Sequence, residues 1–287
     1  MTLDYSNTLI FTDLDGTLLD HHDYNYKAAV PVLKKLDALH IPVIFNTSKT
    51  EAEIAALRDE MSNKHPFIVE NGSGIFIPEN YFKNNGSEKK GNSFETICLG
   101  KKREELISWL NTTALAFNQC YTKFSDLTIE DITILTGLST ESAKLAATRN
   151  FSEPLHWIGS AEELQQFKQL ANSSNLNVLV GGRFVHLLGR TNKGIATKKL
   201  AAEYKKYHTR KTDSAGSNTE ANASKRQTII ACGDGENDID MLEAADIAVI
   251  VKSPKNPAPK VNNKNQYLTN DCGPEGWATT IAEILKL

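Results

Sequence analysis

Apolar runs and helical patterns alternate at both ends of the chain, and this alternation predicts the architecture. Residues 8–14, TLIFTDL, read as a strand. Residues 26–40 carry Ala29, Val32, Leu33, Leu36 and Leu39 at helical spacing, with Pro31 near the start, where a helix tolerates it. The run 41–47, IPVIFNT, is again a strand; 50–61 sets Ile54, Leu57 and Met61 on one helix face; and 66–78 gives two extended pieces around a Gly-rich turn. The rhythm resumes with a helix over 192–208, strands at 227–234 and 247–252, a short helix over 237–246 and a closing amphipathic helix over 275–287. Such alternation predicts one α/β, three-layer, Rossmann-like parallel sheet built from both ends of the chain.

Between the two ends the order is irregular. A strand at 94–100, helices over 103–117 and around 140–150, a strand at 151–159, a helix over 161–172 and paired strands at 177–182 and 183–189 predict an inserted α+β module. The expected division is 1–83 for the first part of the core, 84–187 for the insertion and 188–287 for the second part. The polar stretches 83–93 and 209–227 read as surface loops, the second as disordered.

Composition narrows the function classes. A net charge of -3 and 23% charged residues in 287 point to neither a nucleic-acid nor a membrane surface, so a small soluble ligand is expected. No run approaches the roughly 18 apolar residues of a membrane span, and no basic-then-apolar leader opens the chain, which predicts a cytoplasmic protein. Cys98, Cys120, Cys232 and Cys272 form no CxxC pair and read as small buried or half-buried side chains.

The chemistry gathers at strand ends. Asp13 and Asp15, two positions apart after the first strand, share a face, and carboxylates so placed resist ionising together. A divalent cation such as Mg²⁺ between them relieves the repulsion; alternatively their pKa values diverge, leaving one as nucleophile and the other as acid and base. A lone DxD reads as a plain Asx-turn, but here the second loop, GDGENDIDML, adds Asp234, Asn237 and Asp238 after another apolar strand. Gly16, Gly233 and Gly235 read as turn-makers. Thr47 and Ser48 precede a helix and suit either a cap or a hydroxyl donor. Lys193 opens a helix, where a cation opposes the dipole unless an anion lies nearby.

Taken in order, DLDGTLL, NTSKT, TNKGIA and GDGENDIDML resemble the four motifs of the haloacid dehalogenase-like phosphohydrolases, and VENGSGIF resembles the element leading into their α+β cap. The resemblance implies that Asp13 is the nucleophile forming an aspartyl-phosphate and Asp15 the general acid/base. It also implies that Thr47, with Ser48 as neighbour, and Lys193 bind phosphate, and that Mg²⁺ is held by Asp13, the Asp15 carbonyl and Asp234, with Asn237 and Asp238 completing the loop. Asn71, in ENGSG, is expected to touch phosphate. RNFSEP and GGRFVHLLG are similar to stretches of the mannosyl-3-phosphoglycerate phosphatases, which implies substrate contacts from Arg149, Glu153, Arg183 and His186 and a compatible solute, mannosylglycerate, as product. Arg149 and Glu153 also suit a salt bridge within the insertion. Glucosyl-3-phosphoglycerate or another sugar phosphate is the alternative substrate; a mutase or a non-catalytic binding protein fits less well.

Overall fold

A computed structural model describes residues 4–83, 93–181, 183–214, 226–255 and 257–287. The first part holds β1 (Thr8–Thr12), α1 (Val30–Ala38), β2 (Val43–Phe45), α2 (Glu51–Glu60), β3 (Phe67–Val69), β4 (Gly74–Pro78) and β5 (Phe94–Cys98). The middle holds α3 (Arg103–Thr112), β6 (Tyr121–Lys123), α4 (Ile129–Thr136), α5 (Thr140–Ala147), β7 (Ser152–Trp157), α6 (Ala161–Ser173), β8 (Leu176–Gly181) and β9 (Phe184–Gly189). The last part holds α7 (Lys193–Ser214), β10 (Thr228–Gly233), α8 (Ile239–Ala244), β11 (Ile247–Lys252), β12 (Gln266–Cys272) and α9 (Gly273–Leu285).

The core is a parallel sheet in the order β12-β11-β10-β1-β2. Strand alternation sends Ile10, Phe45, Ile230 and Val249 to one face, against Leu36 of α1 and Trp277 and Ile281 of α9. Leu9, Phe11, Ala231 and Ala248 go to the other, against Ala196 and Leu200 of α7 and Met241 and Leu242 of α8. The three layers follow from that period of two. A parallel bridge from Asn46 to Ile68 brings β3 alongside β2, and β3-β4-β5 form a small antiparallel sheet.

From β1 the chain steps to β2 on one side, whereas β10 leads to β11 and β12 on the other. Because β1 and β10 are neighbours, the loops leaving their carboxyl ends diverge, and the crevice between them is where an open parallel sheet takes its ligand.

The insertion carries an antiparallel sheet, β6-β7-β9-β8. Leu155, Val178 and Leu187 pack one face of it on Leu106 of α3 and Phe167 of α6. A second, smaller cluster joins Phe124, Ile132 of α4 and Ala143 of α5.

Several expectations are corrected. The strand expected within the insertion at 94–100 pairs with β4 and so belongs with the core-side strands. The helix read over 103–117 ends at Thr112, with a separate turn at Leu115–Phe117. α7 runs on to Ser214 through the first residues of the stretch expected to be a loop; residues 215–225 of that stretch and 84–92 of the other lie outside the described residues. Cys98 is exposed rather than half-buried. No helix among the described residues is long and apolar enough to cross a membrane.

Trp277 is wholly buried at the centre of the α1/α9 layer. Trp277→Ala is expected to cost about 3–5 kcal/mol of unfolding free energy, read as a fall in the urea midpoint at unchanged slope.

Candidate active site

Asp13 is the first residue beyond β1, and its N–H donates to the Cys232 carbonyl at 2.9 Å, which ties it to the end of β10. The chain then turns tightly: Thr17 and Leu19 N–H groups donate to the Leu14 carbonyl at 3.0 and 2.8 Å. Gly16 sits in this turn at φ 80°, and a side chain there would lie 2.7 Å from Asp234 Oδ2. Its hydrogen atom is what allows the first loop to lie against the second. Thr17 Oγ1 donates to Asp234 Oδ1 at 2.9 Å, a direct join between the two loops.

Lys193 occupies the middle of this arrangement. Its ammonium is wholly buried, 2.7 Å from Asp13 Oδ1 and 2.6 Å from Asp238 Oδ1. The second oxygen of Asp238 accepts the N–H groups of Asp234 and Gly235 at 3.1 and 3.0 Å, so this side chain braces its own loop while it holds the lysine. Burial pulls the Lys193 ammonium towards neutrality, but the Asp13 and Asp238 carboxylates outweigh it and hold the pKa above the ordinary lysine value.

Asp13, Asp234 and Asp238 are all buried and place one oxygen each within 4.8 Å of one another. Three carboxylates against one ammonium leave an excess of two negative charges. Burial, and then the charge of Asp238, push Asp13 up to about 8, with Lys193 opposing; the same two causes push Asp234 up to about 7, opposed by the Thr17 hydrogen bond. An oxygen-only donor set short of positive charge fits a hard divalent cation.

Around this centre stand the other expected residues. Asp15 Oδ2 lies 3.0 Å from Lys49 Nζ, and Asp15 Oδ1 is buried with no hydrogen-bond partner among the described residues. Thr47 is buried, its Oγ1 accepting from Lys49 N–H at 3.2 Å. Neither Thr47 nor Ser48 caps α2; Thr50 does, in a reciprocal box with Glu53. Asn71, with its backbone at φ 57°, accepts from Asn237 Nδ2 at 3.2 Å, so Asn237 meets the Asn71 loop, whereas Lys193 is oriented by Asp13 and Asp238.

The insertion residues separate by strand register. Pro154 is paired with His186 and Glu153 with Leu187, so Glu153 and His186 point to opposite faces. Glu153 lies on the helix-packed face, wholly buried, bound to Arg103 Nε at 2.5 Å and to Ser125 N–H at 2.8 Å. The expected substrate contact from Glu153 is thereby corrected: both its oxygens are committed inside the insertion. Nor do Arg149 and Glu153 pair. Arg149 donates to the Ser48 carbonyl at 3.0 Å and to Ser152 Oγ at 3.0 Å, and lies 3.8 Å from Glu70. Arg183 donates to the Leu135 carbonyl at 2.9 Å, at the end of α4. His186 is buried, its Nδ1 has no partner among the described residues, and burial, with the charges of Arg149 and Lys193, holds its pKa down at about 3.

Residues 10–276 match the family model of the haloacid dehalogenase-like hydrolases. The chain belongs to that family. A glucosyl-3-phosphoglycerate/mannosyl-3-phosphoglycerate phosphatase of Persephonella marina is 32% identical over 97% of each chain. One of the same name from Methanococcoides burtonii is 34% identical over 96% of this chain and 97% of its own. Among solved structures, sucrose-phosphatase from Synechocystis, in complex with sucrose and phosphate, aligns with TM-score 0.58 at 17% identity, covering 96% of this chain and 97% of its own. A haloalkanoate-superfamily phosphatase from Bacteroides thetaiotaomicron aligns with TM-score 0.62 at 17% identity, covering 97% and 95%. These structural likenesses show the fold, and the family and its phosphatase relatives make this chain a phosphoric monoester hydrolase.

In this haloacid dehalogenase-like hydrolase, sequence reasoning did not single out Thr17, Lys49 as the partner of Asp15, Glu70 or Arg103. A polar side chain two positions beyond Asp15 was the available signal for Thr17. Glu70 had none, because a glutamate in left-handed backbone, φ 49°, leaves no local signature.

The raised carboxyls of Asp13 and Asp234 set a pH dependence for the metal-free hydrolase. Between the ordinary carboxyl value near 3.8 and about 8 the folded state binds more protons than the unfolded state, so this part of the stability falls as pH rises. Thermal unfolding in chelator should show Tm declining from pH 5 to pH 8, with a shallower decline in Asp13→Asn; identical slopes would remove Asp13 as a source.

Proposed function

We propose that this hydrolase is a Mg²⁺-dependent phosphatase of mannosyl- and glucosyl-3-phosphoglycerate that works through an aspartyl-phosphate on Asp13, with the insertion serving as a cap over the site. The observation that carries this reading is the Lys193 ammonium buried 2.7 Å from Asp13 at the sheet's switch point. The names of two relatives above 30% identity over nearly the whole chain support the substrate. A cytoplasmic location goes with it.

Asp13 and Asp234, with Asp238 behind them, are the residues that would hold Mg²⁺. When bound, the ion supplies the positive charge that keeps Asp13 ionised and draws phosphate oxygens into the site. Lys193 fixes Asp13 by Oδ1, which leaves Oδ2 to attack phosphorus in line with the ester oxygen. The Asp13–phosphorus bond forms as the ester bond breaks, and the leaving oxygen takes a proton from Asp15. Water then attacks phosphorus, Asp15 takes its proton, and the bond to Asp13 breaks. Lys49 steadies Asp15 throughout, and the Thr47 hydroxyl, whose oxygen accepts the Lys49 N–H, would donate its proton to an oxygen of the transferred group.

A phosphate-release assay over mannosyl- and glucosyl-3-phosphoglycerate, hexose phosphates and 3-phosphoglycerate, with Mg²⁺ or with chelator, tests this. Turnover is expected for the glycosylated phosphoglycerates with Mg²⁺, with none in chelator. Asp13→Asn should abolish it, and Asp15→Asn should lower kcat by about 10²–10⁴-fold, the span of general acid–base assistance. Near-native turnover by Asp13→Asn would refute the covalent route.

A further inference from the structure

A cavity of about 600 Å³ opens between the segment after β1, helix α2 and the α4–α5 corner of the insertion. Its size falls in the roughly 300–1,000 Å³ span of small-molecule pockets. Lys49, whose ammonium lies 3.0 Å from Asp15, is part of its lining. On the proposed mechanism, in which the leaving oxygen takes its proton from Asp15, this cavity adjoins the leaving-group side through Lys49.

The lining states which part of a leaving group fits. Asp23, Glu53 and Glu60 line it with Lys27 and Lys49, three acids to two bases, and Lys49 lies 3.0 Å from Asp15 and 3.9 Å from Glu53. That balance disfavours a second anionic group and suits a neutral polyol, whose hydroxyls can donate to the carboxylates. Two tyrosines complete the wall. Tyr26 is held by its hydroxyl on Glu60 at 2.8 Å, which keeps its ring in place. Tyr24 is 43% exposed, stands with its ring centre 5.0 Å from the Lys49 ammonium, and has its backbone in the left-handed region at φ 58°. A bulky residue so strained is uncommon, and such residues collect at ligand sites.

From the cavity, its charge and its junction with Asp15 we infer that this compartment binds the neutral sugar ring of the substrate, with Tyr24 as the platform for the ring and the insertion's Ser142 forming the opposite wall. The assignment rests on the proposed function and deepens it: the carboxylate of the glycerate moiety lies outside the cavity, and specificity for a glycosylated over a bare phosphoglycerate arises here.

The test compares kcat/KM for mannosyl-3-phosphoglycerate with that for sugarless 3-phosphoglycerate and p-nitrophenyl phosphate in the wild type, Ser142→Trp and Tyr24→Ala. Filling the cavity or removing the platform should lower the ratio of glycosylated to sugarless kcat/KM at least ten-fold, chiefly through KM. A ratio unchanged in both variants, including one in which all substrates lose equally, overturns the assignment. If the wild type cleaves no glycosylated phosphoglycerate, the proposed substrate fails by itself, and the cavity is judged by the same ratio with whichever hexose phosphate is cleaved against p-nitrophenyl phosphate.

Discussion

A lysine with no exposed surface is the constraint on which the site depends. Withdrawing an ammonium from water costs several kcal/mol, and a helix start adds the unfavourable end of the helix dipole. Asp13 and Asp238 at 2.7 and 2.6 Å offset both costs. Since the three residues come from the end of β1, the start of α7 and the loop before α8, their contact fixes three separated elements to one point. The surrounding residues make that close approach possible. Asn192 caps α7 by accepting the Ile195 N–H at 2.7 Å, and Gly194 brings the first turn of α7 against the Asp240 carbonyl, where a side chain would collide.

The same loops carry the joint to the insertion. Glu70, Asn71 and Gly72 are successive residues with positive φ, at 49°, 57° and 90°. That backbone aims Glu70 upwards, where its carboxylate accepts Asn150 and Phe151 N–H groups at 2.8 and 3.1 Å and Ser152 Oγ–H at 2.6 Å. It aims Asn71 at Asn237, and Gly72, whose carbonyl takes Thr191 Oγ–H at 2.9 Å, packs directly on the Asn192 backbone. One strained turn thus sets the seat of the insertion and the edge of the candidate site together. Arg149 adds a second tie through the Ser48 carbonyl and holds Ser152 within the insertion, so a residue that reads from sequence as a substrate contact spends one nitrogen joining insertion to core and another bracing the insertion itself.

The parallel core was legible because its strands are buried on both faces and therefore nearly uninterrupted in apolar residues, as in LIF and IIAC. β12, with its largely exposed pattern at the sheet edge, offered no such run and escaped notice. In the candidate site, Asp13, Asp234, Asp238 and Lys193 were readable because they sit at strand and helix ends, where local pattern reports position. The insertion was not: whether Glu153 faces ligand or helix depends on a one-residue register, and its partner Arg103 is fifty positions away. Long-range pairing of that kind leaves no trace in spacing.

Three buried carboxylates and one buried ammonium leave a deficit of positive charge that suits a divalent cation. Calorimetric titration of Mg²⁺ into the metal-stripped protein at pH 7.5 measures it most directly. One bound ion per chain, with proton release on binding and loss of the site in Asp234→Asn, is the expected result. Absence of binding in the wild type, or unchanged binding in Asp234→Asn, would contradict the account.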